Sequence, residues 1–175
     1  ARADGELSEA GTAYRKALEL APDDADVLHA LGRMHNTAGE HELAADAIRR
    51  SLAVDAAQPL AWVNLGIALA ESGDVAGARA AYQEALALNP HEALAHFNLG
   101  NVHQRAERYE DAARAYERAV LADPGLGRAH FELGRTYYRL ERFQDALVQA
   151  RRAVELMPEH VPSRQMLTEL ERVAG

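Results

Sequence analysis

The stretch HFNLGNVHQ, residues 96–104, decides the fold, because its central Leu-Gly pair recurs at a fixed interval along the chain. The segment otherwise has the apolar spacing of an amphipathic helix, in which a glycine costs about 1 kcal/mol relative to alanine. Glycines preceded by leucine lie 34 residues apart at Gly32, Gly66, Gly100 and Gly134. Self-similarity at such an interval indicates stacked supersecondary units.

Three further rows of residues share the 34-residue interval. Small residues follow each glycine by twelve and by nineteen positions, and a proline closes each unit except at Ala56. The first small row is Ala44, Ala78, Ala112 and Ala146, and the second is Ser51, Ala85, Ala119 and Ala153. The prolines are Pro22, Pro90, Pro124 and Pro158.

Each unit carries two helical patterns joined by a short polar turn. Residues 93–106 and 109–122 both place apolar side chains at helical spacing. We expect Gly39 and Gly73 to be left-handed turn residues, and the prolines to end the second helices. Two antiparallel helices with so short a turn pack closely along their length. The small rows are therefore predicted at the helix crossings, where a larger side chain would cost about 1–3 kcal/mol.

This pattern resembles the tetratricopeptide repeat. The residues that carry the resemblance in one unit are Trp62, Leu65, Gly66, Ala78, Tyr82, Ala85 and Pro90. The resemblance covers nearly the whole chain. It implies an all-α, right-handed superhelical solenoid of antiparallel helix pairs, with about ten helices. Because these residues are packing residues, they do not identify a partner.

We expect a single solenoid domain over residues 1–175. It comprises a partial repeat (1–24), four full repeats (25–58, 59–92, 93–126 and 127–160) and a C-terminal capping helix (161–175). The partial repeat holds only a second helix, whose apolar residues are Leu7, Ala10, Tyr14, Ala17 and Leu18. Part of that face would be uncovered, so either the native protein continues upstream or the face docks on a second copy or a partner. The first residue, Ala1 rather than Met, favours a fragment or a processed product.

Composition and charge exclude several classes of function. Apolar residues make up 48% and charged residues 26% of the chain, as in an average soluble protein. The net charge of −8 argues against nucleic-acid binding, which needs a basic face. The sequence contains no run of about 18 apolar residues, so we do not expect membrane insertion. The absence of cysteine excludes disulfides and thiolate metal sites, and it fits a reducing, cytoplasmic location.

The resemblance also implies that the first helix of each repeat lines a concave groove. Asn64 and Asn98 occupy the same row of that groove, one repeat apart. In related arrays, including those of protein-glycosylating transferases, asparagines in this row hold the backbone of an extended peptide. An amide suits that task because it both donates and accepts hydrogen bonds. Ala30 and Glu132 interrupt the row in the flanking repeats.

Towards the C-terminal end, the predicted groove becomes basic and aromatic. The candidate peptide-binding residues are Asn64, Asn98, Asn101, Phe97, Arg105, Arg128, Phe131, Arg135, Tyr138 and Arg139. Arginine pairs with carboxylates and aromatic side chains supply buried anchors, so we expect a protein or peptide partner, extended or helical, with acidic and apolar residues. The alternative is that these arginines pair with Glu132, Glu107 or Glu141 on the surface. The carboxylate clamp known from this family fits less well, because its lysine row holds no lysine here.

No catalytic or cofactor-binding constellation stands out. His96, His103 and His130 lie on packing rows, so we interpret them as half-buried packing residues rather than zinc ligands. The serines lack a nucleophile motif, and no phosphate-binding glycine loop occurs. The leading hypothesis is therefore a non-catalytic interaction scaffold without a cofactor. The alternatives are the substrate-recruiting part of a larger glycosyltransferase- or sulfotransferase-like enzyme, and a self-assembling oligomeric platform.

Overall fold

The computed structural model describes the backbone of residues 2–174 and the side chains of residues 11–173. The described backbone forms ten helices and no strand. The helices are α1 (Arg2–Leu20), α2 (Ala25–Ala38), α3 (His41–Val54), α4 (Pro59–Glu71), α5 (Val75–Leu88), α6 (Ala93–Arg105), α7 (Tyr109–Ala122), α8 (Gly127–Arg139), α9 (Phe143–Leu156) and α10 (Val161–Ala174). The predicted all-α class with about ten helices is confirmed.

The helices group into two compact units. Unit 1 covers Ala1–Pro90 and contains α1 to α5, and unit 2 covers His91–Gly175 and contains α6 to α10. Within each unit every helix packs against the next one along the chain, and α2 also contacts α4. The pairs α2–α3, α4–α5, α6–α7 and α8–α9 each fall within one predicted repeat. The single solenoid domain over the whole chain stays a prediction.

The glycines of the repeat row face the second helix of their repeat, which leaves little room for a side chain. A Cβ atom on Gly66 would lie 2.3 Å from a ring carbon of Tyr82, and one on Gly100 would lie 2.4 Å from a ring carbon of Tyr116. The alanines of the first small row are fully buried: Ala44, Ala78, Ala112 and Ala146. The prediction that small residues permit close helix packing is therefore confirmed for the alanine row and for Gly32, Gly66 and Gly100, whereas a Cβ on Gly134 would meet only Met166 Cε closer than 3.4 Å.

The turn inside each full repeat contains one left-handed residue. Gly39 (φ 77°) and Gly73 (φ 92°) confirm the prediction for the first two full repeats. The equivalent residues of the next two repeats, Glu107 (φ 56°) and Glu141 (φ 58°), adopt the same conformation. A side chain in this region costs roughly 1–2 kcal/mol, so these two turns keep the repeat geometry at the expense of local strain.

A row of ring N–H groups ties the first helix of a repeat to the preceding loop. Trp62 donates from Nε1 to the backbone oxygen of Ala56 (2.9 Å), and His130 donates from Nε2 to that of Pro124 (3.1 Å). His96 and His130 are each only 8% exposed, which confirms their packing role. A ring N–H thus satisfies a loop carbonyl to which a leucine in this row could not donate.

The two terminal helices differ from the inner ones. Helix α1 packs on α2, where Met34 Sδ lies 3.0 Å from the position a Cβ on Gly11 would take. Of the apolar face predicted for this helix, Leu7 and Ala10 lie outside the described side chains. The rest of that face is half-buried: Tyr14, Ala17 and Leu18. Self-association through it stays a prediction.

Helix α10 closes unit 2 with one buried and one exposed face. Leu170 and Ser163 are fully buried, whereas Arg164 and Glu171 are exposed. Arg151 of α9 forms an exposed ion pair with Glu171 at 3.6 Å. The core that α10 completes consists of Ala112, Ala113, Tyr116, Leu133, Tyr137, Ala146, Ala150 and Leu170.

Candidate functional site

Helix α8 forms the centre of the candidate site in unit 2. Arg135 lies four residues after Phe131, and Tyr138 and Arg139 lie three and four residues after Arg135. This spacing places all four side chains on one side of the helix. All four line a pocket of about 480 Å³. The structure thus brings together four of the ten residues predicted to bind peptide.

The opposite wall of this pocket, which sequence reasoning missed, comes from α10. Its lining residues are Pro162, Gln165, Met166 and Glu169. Thr168 lies 34 residues after Gly134 and so takes the place of the repeat glycine in α10. The four lining residues lie six, three and two residues before Thr168 and one residue after it, and the predicted groove residues lie at the same distances from their repeat glycines. Extending the row offsets into the capping helix would have found them.

One arginine of the pocket is held by an internal ion pair. Arg135 donates from Nη1 to both carboxylate oxygens of Glu132, at 3.0 and 3.2 Å, and its guanidinium lies 5.6 Å from the centre of the Phe131 ring. The surface-pairing alternative is therefore confirmed for Arg135. Among the described residues, Arg139 and Arg128 have no carboxylate partner. Arg139 is thus the cation of the pocket that is available to a ligand.

The aromatic residues of the pocket are fixed from behind. Phe131 packs edge-on against His160 with ring centres 5.0 Å apart, and Tyr138 packs edge-on against Phe143 at 5.5 Å. Tyr138 nevertheless remains 38% exposed, a large fraction for an aromatic ring. Such a rigid and partly exposed ring is suited to anchoring an apolar ligand group.

The predicted residues on α6 are linked to the helix-packing core. Tyr116 of α7 donates its hydroxyl to Asn101 Oδ1 at 2.7 Å and lies 5.8 Å from the Phe97 ring. Asn101 in turn donates to Asn98 Oδ1 at 3.4 Å. Burial, reinforced by the nearby Glu132 carboxylate, raises the pKa of the Tyr116 phenol, which keeps it a neutral donor.

A second, smaller pocket of about 140 Å³ lies on the α6 and α7 side of α8. Its lining residues are Gln104, Tyr109, Arg135, Thr136 and Arg139. Arg135 and Arg139 therefore line both pockets. Two predicted residues, Arg105 and Arg128, are exposed and line neither of these pockets.

The remaining predicted residue, Asn64, lies on α4 in unit 1. Its Nδ2 atom is 2.8 Å from His29 Nε2, and its backbone oxygen accepts a hydrogen bond from Asn36 Nδ2 at 2.9 Å. Burial, together with the charge of Arg33, lowers the pKa of His29, although Asp26 acts in the opposite direction. A neutral His29 can accept from the Asn64 amide, so this amide already has a partner within unit 1.

Metal binding and membrane insertion find no support in the part of the chain that the structure describes. Within it, no three His, Asp or Glu side chains come close enough together to hold a metal ion. No helix there has the length and apolar character needed to cross a membrane.

Comparisons with known proteins give a matching family and several similar structures. The family model for the C-terminal domain of cilia and flagella-associated protein 70 matches residues 1–173. The crystal structure of MamA is similar, with a TM-score of 0.75 and 27% identity over 90% of this chain and 92% of that chain. PilF of Pseudomonas aeruginosa has a TM-score of 0.87 and 24% identity, over 98% of this chain and 78% of that chain. A comparison with curated proteins found no match.

A further similar structure is YrrB, a tetratricopeptide-repeat protein described as having an unusual peptide-binding site. Its TM-score is 0.68 and its identity 24%, over 94% of this chain and 84% of that chain. The likenesses below 25% identity establish the fold alone, whereas the family model covers nearly every residue. The chain belongs to the tetratricopeptide-repeat family of the cilia and flagella-associated protein 70 C-terminal domain.

Proposed function

We propose that this chain is a non-catalytic scaffold, and that the face formed by α8 and α10 in unit 2 binds a peptide or protein partner with acidic and apolar residues. The observation that carries the proposal is the pocket of about 480 Å³, which combines the exposed Tyr138 and the half-buried Phe131 with two arginines. The volume lies within the range of about 300–1,000 Å³ that is typical of ligand sites. The apolar lining residues Phe131, Tyr138 and Met166 lie beside charged ones.

The charges in the pocket favour an acidic partner. Arg139 has no carboxylate partner within the described residues, and the Arg135 side chain is 48% exposed despite its ion pair with Glu132. Glu169 is the single carboxylate of the lining, and Arg172 lies 3.8 Å from it. A carboxylate side chain of the partner would pair with Arg139, while an apolar neighbour would pack on the Tyr138 ring.

The proposal is confined to unit 2. Asn98 and Asn101 on α6 would extend the site for a longer peptide, because a side-chain amide can hold a peptide backbone. YrrB, which has a similar fold, is described as binding peptide, and peptide binding by that protein is compatible with this proposal. The participation of Asn64 stays a prediction.

A peptide array that compares acidic with basic sequences of equal apolar content tests the proposal. We expect wild-type protein to prefer the acidic set, and Arg139→Glu to reverse or abolish that preference. The matched control is Arg118→Glu, at an exposed arginine of α7 that lines neither pocket. Equal retention of acidic and basic peptides by the wild type, or equal losses in the two variants, would contradict the proposed site.

A further inference from the structure

We infer that the small pocket between α6, α7 and α8 is a phosphate subsite, which receives the phosphoryl group of a phosphorylated serine or threonine on the bound peptide. The inference rests on the peptide binding proposed for unit 2, and it adds that the bound peptide is phosphorylated. The pocket has a volume of about 140 Å³ and is lined by Gln104, Tyr109, Arg135, Thr136 and Arg139.

The charge of the lining points to an anion. It contains two guanidinium groups and no carboxylate, in a chain whose net charge is −8. Arg135 and Arg139 are four residues apart on α8, where like charges repel and weaken a helix. Glu132 neutralises Arg135 through Nη1, but no described carboxylate neutralises Arg139. An anion between the two guanidinium groups would convert this repulsion into attraction.

The neutral groups of the pocket are fixed by other bonds. Thr136 donates its hydroxyl to the Glu132 backbone oxygen at 2.8 Å. Gln104 accepts from the Tyr116 hydroxyl at 3.0 Å and donates to Glu132 at 3.3 Å. These two residues therefore form a rigid floor, and the ligand's hydrogen bonds fall to the arginines and to the half-buried Tyr109.

The size and the donors favour phosphate over carboxylate. A pocket of about 140 Å³ is several times larger than the space that one water molecule needs. A phosphoryl group fills more of this space than a planar carboxylate. It also offers three strong acceptor oxygens and a charge of about −1.5 to −2 near neutral pH, which suits two guanidinium groups and a phenol.

The shared arginines connect this subsite to the peptide-binding pocket. Arg135 and Arg139 line the larger pocket on one side of α8 and the smaller one on the other. A peptide that fills the larger pocket can therefore place a neighbouring side chain into the smaller one. Free inorganic phosphate could occupy the same subsite. The experiment must therefore distinguish free phosphate from a phosphoryl group that belongs to the bound peptide.

The first arm of the test is an NMR titration with inorganic phosphate, compared with acetate at equal ionic strength. We expect saturable shifts of the Arg139 and Gln104 side-chain N–H signals with phosphate. Arg139→Gln should weaken phosphate binding about tenfold, as is usual for loss of a charged hydrogen-bond donor. Arg118→Gln, at an exposed arginine of α7 that lines neither pocket, should change it less than about twofold.

The second arm is a peptide array in which a central serine is unmodified, replaced by glutamate or phosphorylated. Phosphoserine peptides should retain the protein most strongly. Tyr109→Phe should lower the preference for phosphoserine over glutamate peptides without changing the binding of the glutamate peptides. If glutamate peptides bind as well as phosphoserine peptides and phosphate causes no shifts, the inference is overturned while the proposed function stands. Phosphate shifts without a phosphoserine preference would overturn the peptide source, and failure of every peptide to bind would overturn both proposals.

Discussion

Replacing Gly100 by alanine should destabilise unit 2. The new Cβ would lie 2.4, 2.5 and 2.8 Å from three carbons of the Tyr116 ring, so the ring would have to retreat by about 1 Å to reach ordinary contact. Tyr116 is fully buried, and its hydroxyl is held by Asn101 at 2.7 Å and by Gln104 at 3.0 Å. The ring cannot move that far without stretching these hydrogen bonds.

The expected magnitude follows from three opposing contributions. Overpacking costs about 1–3 kcal/mol, a weakened hydrogen bond costs about 1 kcal/mol, and the better helix propensity of alanine returns about 1 kcal/mol. The free energy of unfolding of the Gly100→Ala variant should therefore fall by about 1–3 kcal/mol.

The matched control is the same change at Gly134. The residue sixteen positions after Gly134 is Ala150, where the earlier repeats have Ile48, Tyr82 and Tyr116. A Cβ on Gly134 would meet Met166 Cε at 3.1 Å, and the next contacts lie at 3.4 Å. The end of a methionine side chain adjusts at little cost, so Gly134→Ala should be neutral or stabilise by up to about 1 kcal/mol.

Urea denaturation followed by far-UV circular dichroism measures both variants. A double-mutant cycle then isolates the clash: in a Tyr116→Ala background, stabilised with an osmolyte, Gly100→Ala should no longer destabilise. If Gly100→Ala costs no more than Gly134→Ala, or if its cost persists without the Tyr116 ring, close packing does not explain the glycine row.

Three further changes probe other features of the molecule. Glu107→Gly removes the backbone strain of a left-handed non-glycine residue, but glycine also makes the unfolded chain more flexible. The net free energy of unfolding should rise by about 0.5–1 kcal/mol. A loss of stability in urea denaturation would show that this turn is unstrained. Burial lowers the pKa of His29, so the unfolded chain takes up the proton first, and thermal stability should fall as the pH drops from about 6.5 through the lower folded pKa. His29→Gln should flatten this pH dependence, and parallel profiles of variant and wild type would contradict it. Tyr116→Phe keeps the ring but removes the hydrogen bonds to Asn101 and Gln104, which should cost about 1–2 kcal/mol in urea denaturation; an unchanged midpoint would show that water replaces the hydroxyl without penalty.

The fold followed from the sequence because its packing rows are periodic. Gly100 sits 34 residues from its equivalents, and that interval alone predicts two helices and a turn per unit. The left-handed conformation of Glu107 was not foreseen, since glutamate has no preference for it. Its position in the repeat, equivalent to Gly39 and Gly73, was the available signal.

The candidate site was only partly predictable, because its geometry depends on contacts between helices distant in sequence. Asn101 was predicted as a ligand contact, yet its side chain also accepts a hydrogen bond from Tyr116, fifteen residues away. Glu132 was seen as an interruption of the asparagine row, whereas in the structure it orients Arg135. Such pairings are set by the depth and tilt of neighbouring helices, which residue types alone do not specify.

The capping helix shows how packing and binding are joined at the end of unit 2. In the repeat before it, the Tyr116 ring fills the space above Gly100. In the last repeat Ala150 leaves that space open, and Met166 of α10 approaches Gly134 instead. Met166 also lines the larger pocket, so the residue that replaces the missing ring is part of the proposed binding site. Helix α10 therefore has two roles, since the contact that closes the core also shapes the wall against which a partner would pack.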